Sequence, residues 1–209
     1  MPADKSLFFY GSLYHRLLDP PLGEARRVAV GLVAEGSSVL DVGCGTGELC
    51  FDLREKKHCR VVGVDLSLRM LEFAREGSRS ADIAFRHLDA TNLVGIEDDA
   101  FDVATILLLV HELPVEERVR VLGEALRVAR AVLLIDAAAP LPRNGGGLGI
   151  RAVEYSFGHA HYPHFRDFLA RGGIQGLLAD CGCAGAVVQR ELFWRNCREA
   201  AVIAGAVAR

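Results

Sequence analysis

Short apolar runs alternate with longer stretches of helical periodicity along most of this chain. Val39-Leu40-Asp41-Val42 is a brief run that ends in glycines. Val61-Val62-Gly63-Val64-Asp65 is a second, Phe101–Val110 a third and Ala131–Asp136 a fourth. None alternates polar with apolar positions, which is the pattern of strands covered on both faces, as in a parallel sheet. Between them, Gly47–Lys56 carries Leu49 and Leu53 behind the acidic first-turn Glu48. Ser67–Glu76 starts on a serine N-cap, with Leu68, Leu71 and Phe73 on its apolar side. Pro114–Arg130 opens on a proline and repeats Val115, Val119, Leu122, Leu126 and Ala129 at helical spacing. Strand and helix in alternation predict a doubly wound α/β sheet in one domain.

The C-terminal part has a different texture. Val187–Phe193 and Ala200–Val207 are extended apolar candidates separated by Trp194–Glu199, and they predict an antiparallel hairpin closing one sheet edge. Residues 140–165 hold Gly145-Gly146-Gly147, Gly149, Gly158, three prolines and a cluster of aromatic and histidine side chains. They predict a long irregular insertion acting as a substrate lid, because loops of that length are usually functional or disordered.

The densest chemical signal is Asp41-Val42-Gly43-Cys44-Gly45-Thr46-Gly47. A buried strand runs into three glycines at alternate positions and then a helix. Glycines remove the Cβ atoms that keep a ligand off the backbone. The bend brings main-chain N–H groups and the positive end of a helix toward that ligand. The spacing is G-x-G-x-G, not the G-x-G-x-x-G of dinucleotide binders, which disfavours an NAD-dependent oxidoreductase. A second acid, Asp65, ends the next strand 24 positions after Asp41, where a carboxylate can accept both hydroxyls of a ribose.

With these pieces the sequence resembles the class I S-adenosylmethionine-dependent methyltransferases, in particular those acting on small molecules. The matching stretches are Val39–Gly47, Gly63–Ser67, His87-Leu88-Asp89-Ala90, and Phe101-Asp102-Val103 through His111-Glu112-Leu113-Pro114. The resemblance implies a Rossmann-like, mostly parallel seven-stranded sheet, with S-adenosylmethionine as methyl donor and S-adenosylhomocysteine as product. It implies that Asp41 and the turn Gly43, Cys44, Gly45 and Gly47 cradle the methionine part. Asp65 would hold the ribose, Leu66 would lie beside the adenine, and Asp89 and the Ala90 N–H would meet its edge. Leu107 and Leu108 would pass under the cofactor. Tyr10 and Tyr14 fall in an N-terminal helical cap, residues 1–34, that would fold over it. Plainer roles stand beside these: Asp41 or Asp65 capping a turn or helix, Asp89 as a turn residue, and Tyr10 and Tyr14 as one packed helix face.

Methyl transfer from a sulfonium is a direct displacement, so the protein's main task is alignment, which can supply about 7–11 kcal/mol. A base is needed only if the acceptor arrives protonated. His111 follows the fourth strand on the ligand side and is the candidate catalytic residue, as a neutral imidazole able to take a proton; capping the next helix is its other reading. Glu112 stands beside it, facing the substrate or starting the helix. In the insertion, Tyr155, Phe157 and His161, with His159, Tyr162, His164 and Phe165, offer rings to wall a pocket. No carboxylate or cysteine stands at a convincing interval from these histidines, so no metal is expected. An Asn-Pro-Pro-aromatic motif is absent after the fourth strand, where Leu107–Val110 stands. That argues against nucleobase amines and glutamine amides as acceptors.

The totals fit this picture. The 209 residues are 51% hydrophobic and 24% charged, enough for one cored domain, and a net charge of -3 does not favour nucleic acid. Six scattered cysteines read as free thiols of a reducing compartment. No apolar run approaches the roughly 20 residues of a membrane span, and Met1–Tyr14 lacks the apolar core of a secretory signal. A cytoplasmic monomer or homodimer with a small-molecule acceptor is expected. A macromolecular acceptor (RNA or protein) and a non-catalytic cofactor-binding regulator are the alternatives. Asp65→Ala should weaken cofactor binding severely while leaving the fold intact. Calorimetric titration with S-adenosylhomocysteine tests this, and unchanged affinity would remove Asp65 from the site.

Overall fold

The computed structural model of the chain describes residues 11–78, 83–158 and 161–204. In order, its elements are α1 (Gly11–Leu32), β1 (Ser38–Val42), α2 (Glu48–Lys57), β2 (Arg60–Asp65), α3 (Leu68–Gly77), β3 (Ile83–His87), β4 (Phe101–Leu107), α4 (Val115–Val128), β5 (Ala129–Ala137), α5 (Gly145–Ser156), α6 (Tyr162–Ala170), α7 (Gly173–Asp180), β6 (Val187–Phe193) and β7 (Arg198–Ala204). The strands form one seven-stranded sheet in the order β3-β2-β1-β4-β5-β7-β6. β3 through β5 pair in parallel, and β7 runs antiparallel to both β5 and β6.

Strand side chains alternate faces, and the two faces build two cores. Leu40, Val42, Ala104, Ile106, Val132 and Leu134 point to the side covered by α4, α6 and α7, where they meet Leu122, Val128, Phe165, Phe168, Ile174 and Leu178. Val39, Val61, Leu133 and Ile135 point to the other side and meet Ala25 and Ala29 of α1 and Val33 just after it, with Leu49 and Leu53 of α2. This two-sided burial is why the central strands read as unbroken apolar runs. The edge strand β3 is short and mostly exposed, so the hydrophobic pattern alone did not single it out.

The expected hairpin is present over Val187–Phe193 and Arg198–Ala204. Trp194, Arg195 and Asn196 turn it with three successive left-handed backbones. The third apolar run does not stay extended to Val110. Leu108 adopts φ 54° with its N–H bonded to the Ile135 carbonyl at 2.8 Å, and Val110–Glu112 then forms a 3-10 turn.

The irregular insertion expected over 140–165 is corrected to helix across most of its length. Asn144 caps α5, its side-chain oxygen accepting the Gly147 N–H at 2.9 Å. The three glycines read as loop punctuation lie in the first turn of that helix. A Cβ on Gly147 would sit 1.8 Å from the Pro142 carbonyl oxygen, and one on Gly146 would reach 3.0 Å from the Cys197 sulfur. Close packing of α5, not flexibility, requires Gly146 and Gly147, whereas a Cβ on Gly145 would meet nothing within 4 Å. Gly147→Ala is therefore expected to lower the melting temperature by several degrees. Exposed Gly149, whose Cβ would meet nothing within 4 Å, should become slightly more stable as alanine, by about 0.5–1 kcal/mol. Paired thermal melts of the two variants check the contrast.

Candidate functional site

Between β1 and β4 the order of the parallel strands reverses direction. In open α/β sheets, ligands bind in the crevice outside the carboxyl ends of strands at such a point. The glycine turn leaves β1 there. Gly43, Gly45 and Gly47 all have positive φ, at 74°, 54° and 81°, a region other residues enter at a cost of about 1–2 kcal/mol. Their surroundings divide their roles. A Cβ on Gly43 would lie 2.9 Å from the Leu109 side chain, and one on Gly47 would lie 2.9 Å from the Phe85 ring, whereas one on Gly45 would meet nothing within 4 Å. The outer glycines let neighbours pack, and the middle one faces open space.

The turn is tied to β2. The N–H groups of Gly43 and Cys44 donate to the Val64 carbonyl at 2.8 and 3.0 Å. The Gly45 N–H donates to an Asp65 carboxylate oxygen at 2.9 Å, and the other oxygen accepts the Ser67 N–H at 2.7 Å. Asp65 thus reaches the turn beside Gly45 and also holds the start of α3, the helix-start role read from the sequence. Leu66, next to it, is 61% exposed.

Asp41 is buried within the sheet. Its oxygens accept the Thr105 hydroxyl at 2.7 Å and the Cys50 thiol at 3.3 Å. Burial pushes its carboxyl up to about 6, against the pull of those two hydrogen bonds and with the nearby Asp65 charge adding to the rise. Asp89 is exposed and makes a turn, one oxygen accepting both the N–H and the hydroxyl of Thr91 at 2.8 Å, while Ala90 is partly buried beside it. Leu107 ends β4 and Leu108 follows it, both partly buried. Tyr10 and the Tyr14 side chain lie outside the described residues, as does His159.

His111 sits in the 3-10 turn beyond β4, 4% exposed. Its Nδ1 is 2.6 Å from an Asp136 oxygen, and its Nε2 is 3.5 Å from Glu154 Oε2, which also holds His161 Nε2 at 2.5 Å. Burial disfavours the charge on His111, but the two carboxylates outweigh it and push its pKa up to about 10. Glu154 shows the converse: burial raises its carboxyl, and the two histidines outweigh that and bring it down to about 2. The neutral, proton-accepting imidazole expected from the sequence is therefore disfavoured here. Phe165 and His161 meet the His111 ring edge-on at 5.7 Å, and Phe157 packs on His161 at 5.3 Å. Tyr155 stacks edge-on with Tyr162 at 5.3 Å and is 63% exposed. Glu112 is half-buried at the end of the turn.

Arg118 fastens this arrangement. From α4 it donates to the Val110 carbonyl at 3.0 Å, to the His164 carbonyl at 2.6 Å and to Asp167 at 2.8 Å, with its guanidinium 5.4 Å from the Phe168 ring centre. It thereby clamps the turn carrying His111 to α6, the helix that His161 precedes. Sequence reasoning missed Asp136, Glu154 and Arg118. Asp136 carries the signal that exposed Asp41 and Asp65, an acid ending an apolar run. Glu154 was hidden because its segment was read as loop.

Residues 39–131 match a family model described as a methyltransferase domain. The chain is 32% identical over 99 residues to the 27-O-demethylrifamycin SV methyltransferase of Amycolatopsis mediterranei, a stretch covering 46% of this chain and 35% of that protein. It is 43% identical over 70 residues to a phosphoethanolamine N-methyltransferase of Arabidopsis thaliana, covering 32% of this chain and 14% of that one. The chain thus spans about a third or less of these relatives' lengths. Its fold is similar to a chain in the complex of the Haloferax volcanii Trm112 methyltransferase activator, with TM-score 0.69 at 16% identity over 90% of this chain and 92% of that one. It is also similar to a SAM-dependent methyltransferase from Aquifex aeolicus, with TM-score 0.59 at 20% identity over 86% and 89% of the two chains. The match to a methyltransferase domain thus spans residues 39–131, and the fold is similar to that of S-adenosylmethionine-dependent methyltransferases.

Asp41 makes a pH prediction. A carboxyl whose pKa is raised by folding keeps its proton in the folded chain where the unfolded chain has lost it. Stability therefore grows as pH falls from about 6 to 3.8, and the buried charge is a burden above that window. Asp41→Asn preserves the shape and removes the charge. It should be the more stable protein at pH 8, by up to about 3 kcal/mol, with the advantage vanishing by pH 4. Urea melts across that range measure it.

Proposed function

We propose that this protein transfers the methyl group of S-adenosylmethionine to a small-molecule acceptor by in-line displacement. The observation that carries the reading is one juxtaposition. The carboxyl ends of β1, β2 and β4 bring the open face of Gly45, the Asp65 carboxylate and the turn bearing His111 to a single crevice at the strand-order reversal. The turn Gly43, Cys44, Gly45 and Gly47, above Asp41, takes the aminoacyl end of the cofactor. Asp65 takes the ribose, and Leu66, Asp89 and Ala90 take the adenine. Leu107 and Leu108 lie beneath, and Tyr10 and Tyr14 close the cover.

The acceptor side is built from His111, Glu112, Phe157 and His161, with Tyr155 at the rim of α5. Both relatives named above act, by their names, on small molecules, and a net charge of -3 gives no general basis for gripping a phosphate backbone. His111, pinned between Asp136 and Glu154, orients the acceptor more readily than it removes a proton. The enzyme works as a monomer or homodimer in the cytoplasm.

His111→Gln is expected to lower turnover at least tenfold while changing affinity for S-adenosylhomocysteine less than threefold. Calorimetry with the product, together with a screen of metabolite extracts using a labelled methyl donor, tests both halves. A parent protein that neither binds the product nor labels any metabolite would overturn the proposal.

A further inference from the structure

We infer that His111, Glu154 and His161 form a binding site for a divalent transition-metal cation such as Zn²⁺, in the acceptor half of the crevice. The three side chains come from three separate elements: the 3-10 turn after β4, α5, and the residue preceding α6. They converge so that one ligand atom from each lies within 4.8 Å of the others. Two imidazoles and one carboxylate, with a position left open, are a donor set that suits zinc in catalytic sites.

The spacing fits. Ligands about 2.0–2.1 Å from a tetrahedral ion stand roughly 3.3–3.5 Å apart, and His111 Nε2 lies 3.5 Å from Glu154 Oε2. The contact of His161 Nε2 with the same oxygen, 2.5 Å, is a hydrogen bond that opens as the ion enters between them.

The surroundings are those of a metal-ligating histidine. Asp136 lies 2.6 Å from Nδ1 of His111. In the loaded site that carboxylate accepts the Nδ1–H and leaves Nε2 to face the ion, the arrangement metal-bound histidines usually have. The charges also close. The side chains of Asp136 and Glu154 are 0% and 6% exposed, and a doubly charged cation with two neutral imidazoles balances them. The His161 side chain, 15% exposed, is the most open of the three ligands and marks the way in.

The role assigned to the ion rests on the methyltransferase reading above. Its open position takes a hydroxyl or thiol of the acceptor, which loses its proton to solvent on coordination. The resulting oxyanion or thiolate attacks the sulfonium methyl: the new O–CH₃ or S–CH₃ bond forms as the methyl–sulfur bond breaks, and S-adenosylhomocysteine departs as a neutral sulfide. The acceptor class is therefore an alcohol, phenol or thiol.

The test uses the full chain stripped with a chelator, titrated with Zn²⁺ against a chromophoric competitor, and examined with Co²⁺ by visible absorption. One equivalent of metal per chain is expected, with a four- or five-coordinate Co²⁺ spectrum. Affinity should fall at least tenfold in Glu154→Gln and in His161→Gln, and by about 10–100-fold in Asp136→Asn. Circular dichroism selects the variants that fold, and His161, the most open of the three ligands, is the one whose variant should always do so. Calorimetry with S-adenosylhomocysteine runs alongside. Product binding without stoichiometric metal, or equal metal affinity in parent and His161→Gln, overturns this inference alone and leaves the cluster a proton-held ionic network. Metal binding without product binding upholds the site and overturns the methyltransferase reading instead.

Discussion

The hydrogen bond from the Gly45 amide to Asp65 holds the crevice together. It joins the turn after β1 to the tip of β2 at 2.9 Å, and the same carboxylate starts α3 through Ser67. Only a backbone free of side chains can make the bend. Gly43 and Gly47 are hemmed in by Leu109 and Phe85, and Gly45 looks into empty space. Asp41 steadies the strand beneath by binding Thr105 across to β4, even though burial makes its charge unfavourable. An acid that strains stability at a ligand site is a common compromise between fold and function.

The second half of the crevice rests on buried charge. Asp136, His111, Glu154 and His161 form a chain of contacts among aromatic rings, with little water to screen them. Removing one partner of a buried pair typically costs about 3–5 kcal/mol, because the other charge is stranded. That cost fixes the positions of α5 and α6 over the crevice more tightly than apolar contact would. Arg118 adds a rigid tie between the same elements. The covering segment is therefore a docked pair of helices, ordered by polar contacts that converge on the reaction side.

The glycine turn and the acids beside it were legible in the sequence, because they are local. A strand, its terminal acid and its glycines are contiguous, and alternating torsions such as those of Gly43, Gly45 and Gly47 leave a mark at fixed spacing. The cluster around His111 was not legible in the same way. Glu154 and His161 are seven positions apart, and His111 is forty-three before Glu154, so no spacing rule relates them. Gly145-Gly146-Gly147 misled for a physical reason. Glycine serves both flexible loops and tight contacts, and only the Pro142 carbonyl, 1.8 Å from where a Cβ would lie, tells which.

The chain's own order of apolar runs, helix starts and strand-end acids determined an α/β sheet with an antiparallel edge and a glycine turn at the tip of β1. Those features depend on neighbours in sequence and on the two-residue alternation of strands. What only the tertiary structure decided was the company His111 keeps. Its charge and its partners Asp136 and Glu154 follow from how β5 and α5 pack beside the turn after β4, distances that no local pattern encodes. A side chain's chemistry depends on its whole surroundings in space, and those exist only once the chain has closed on itself.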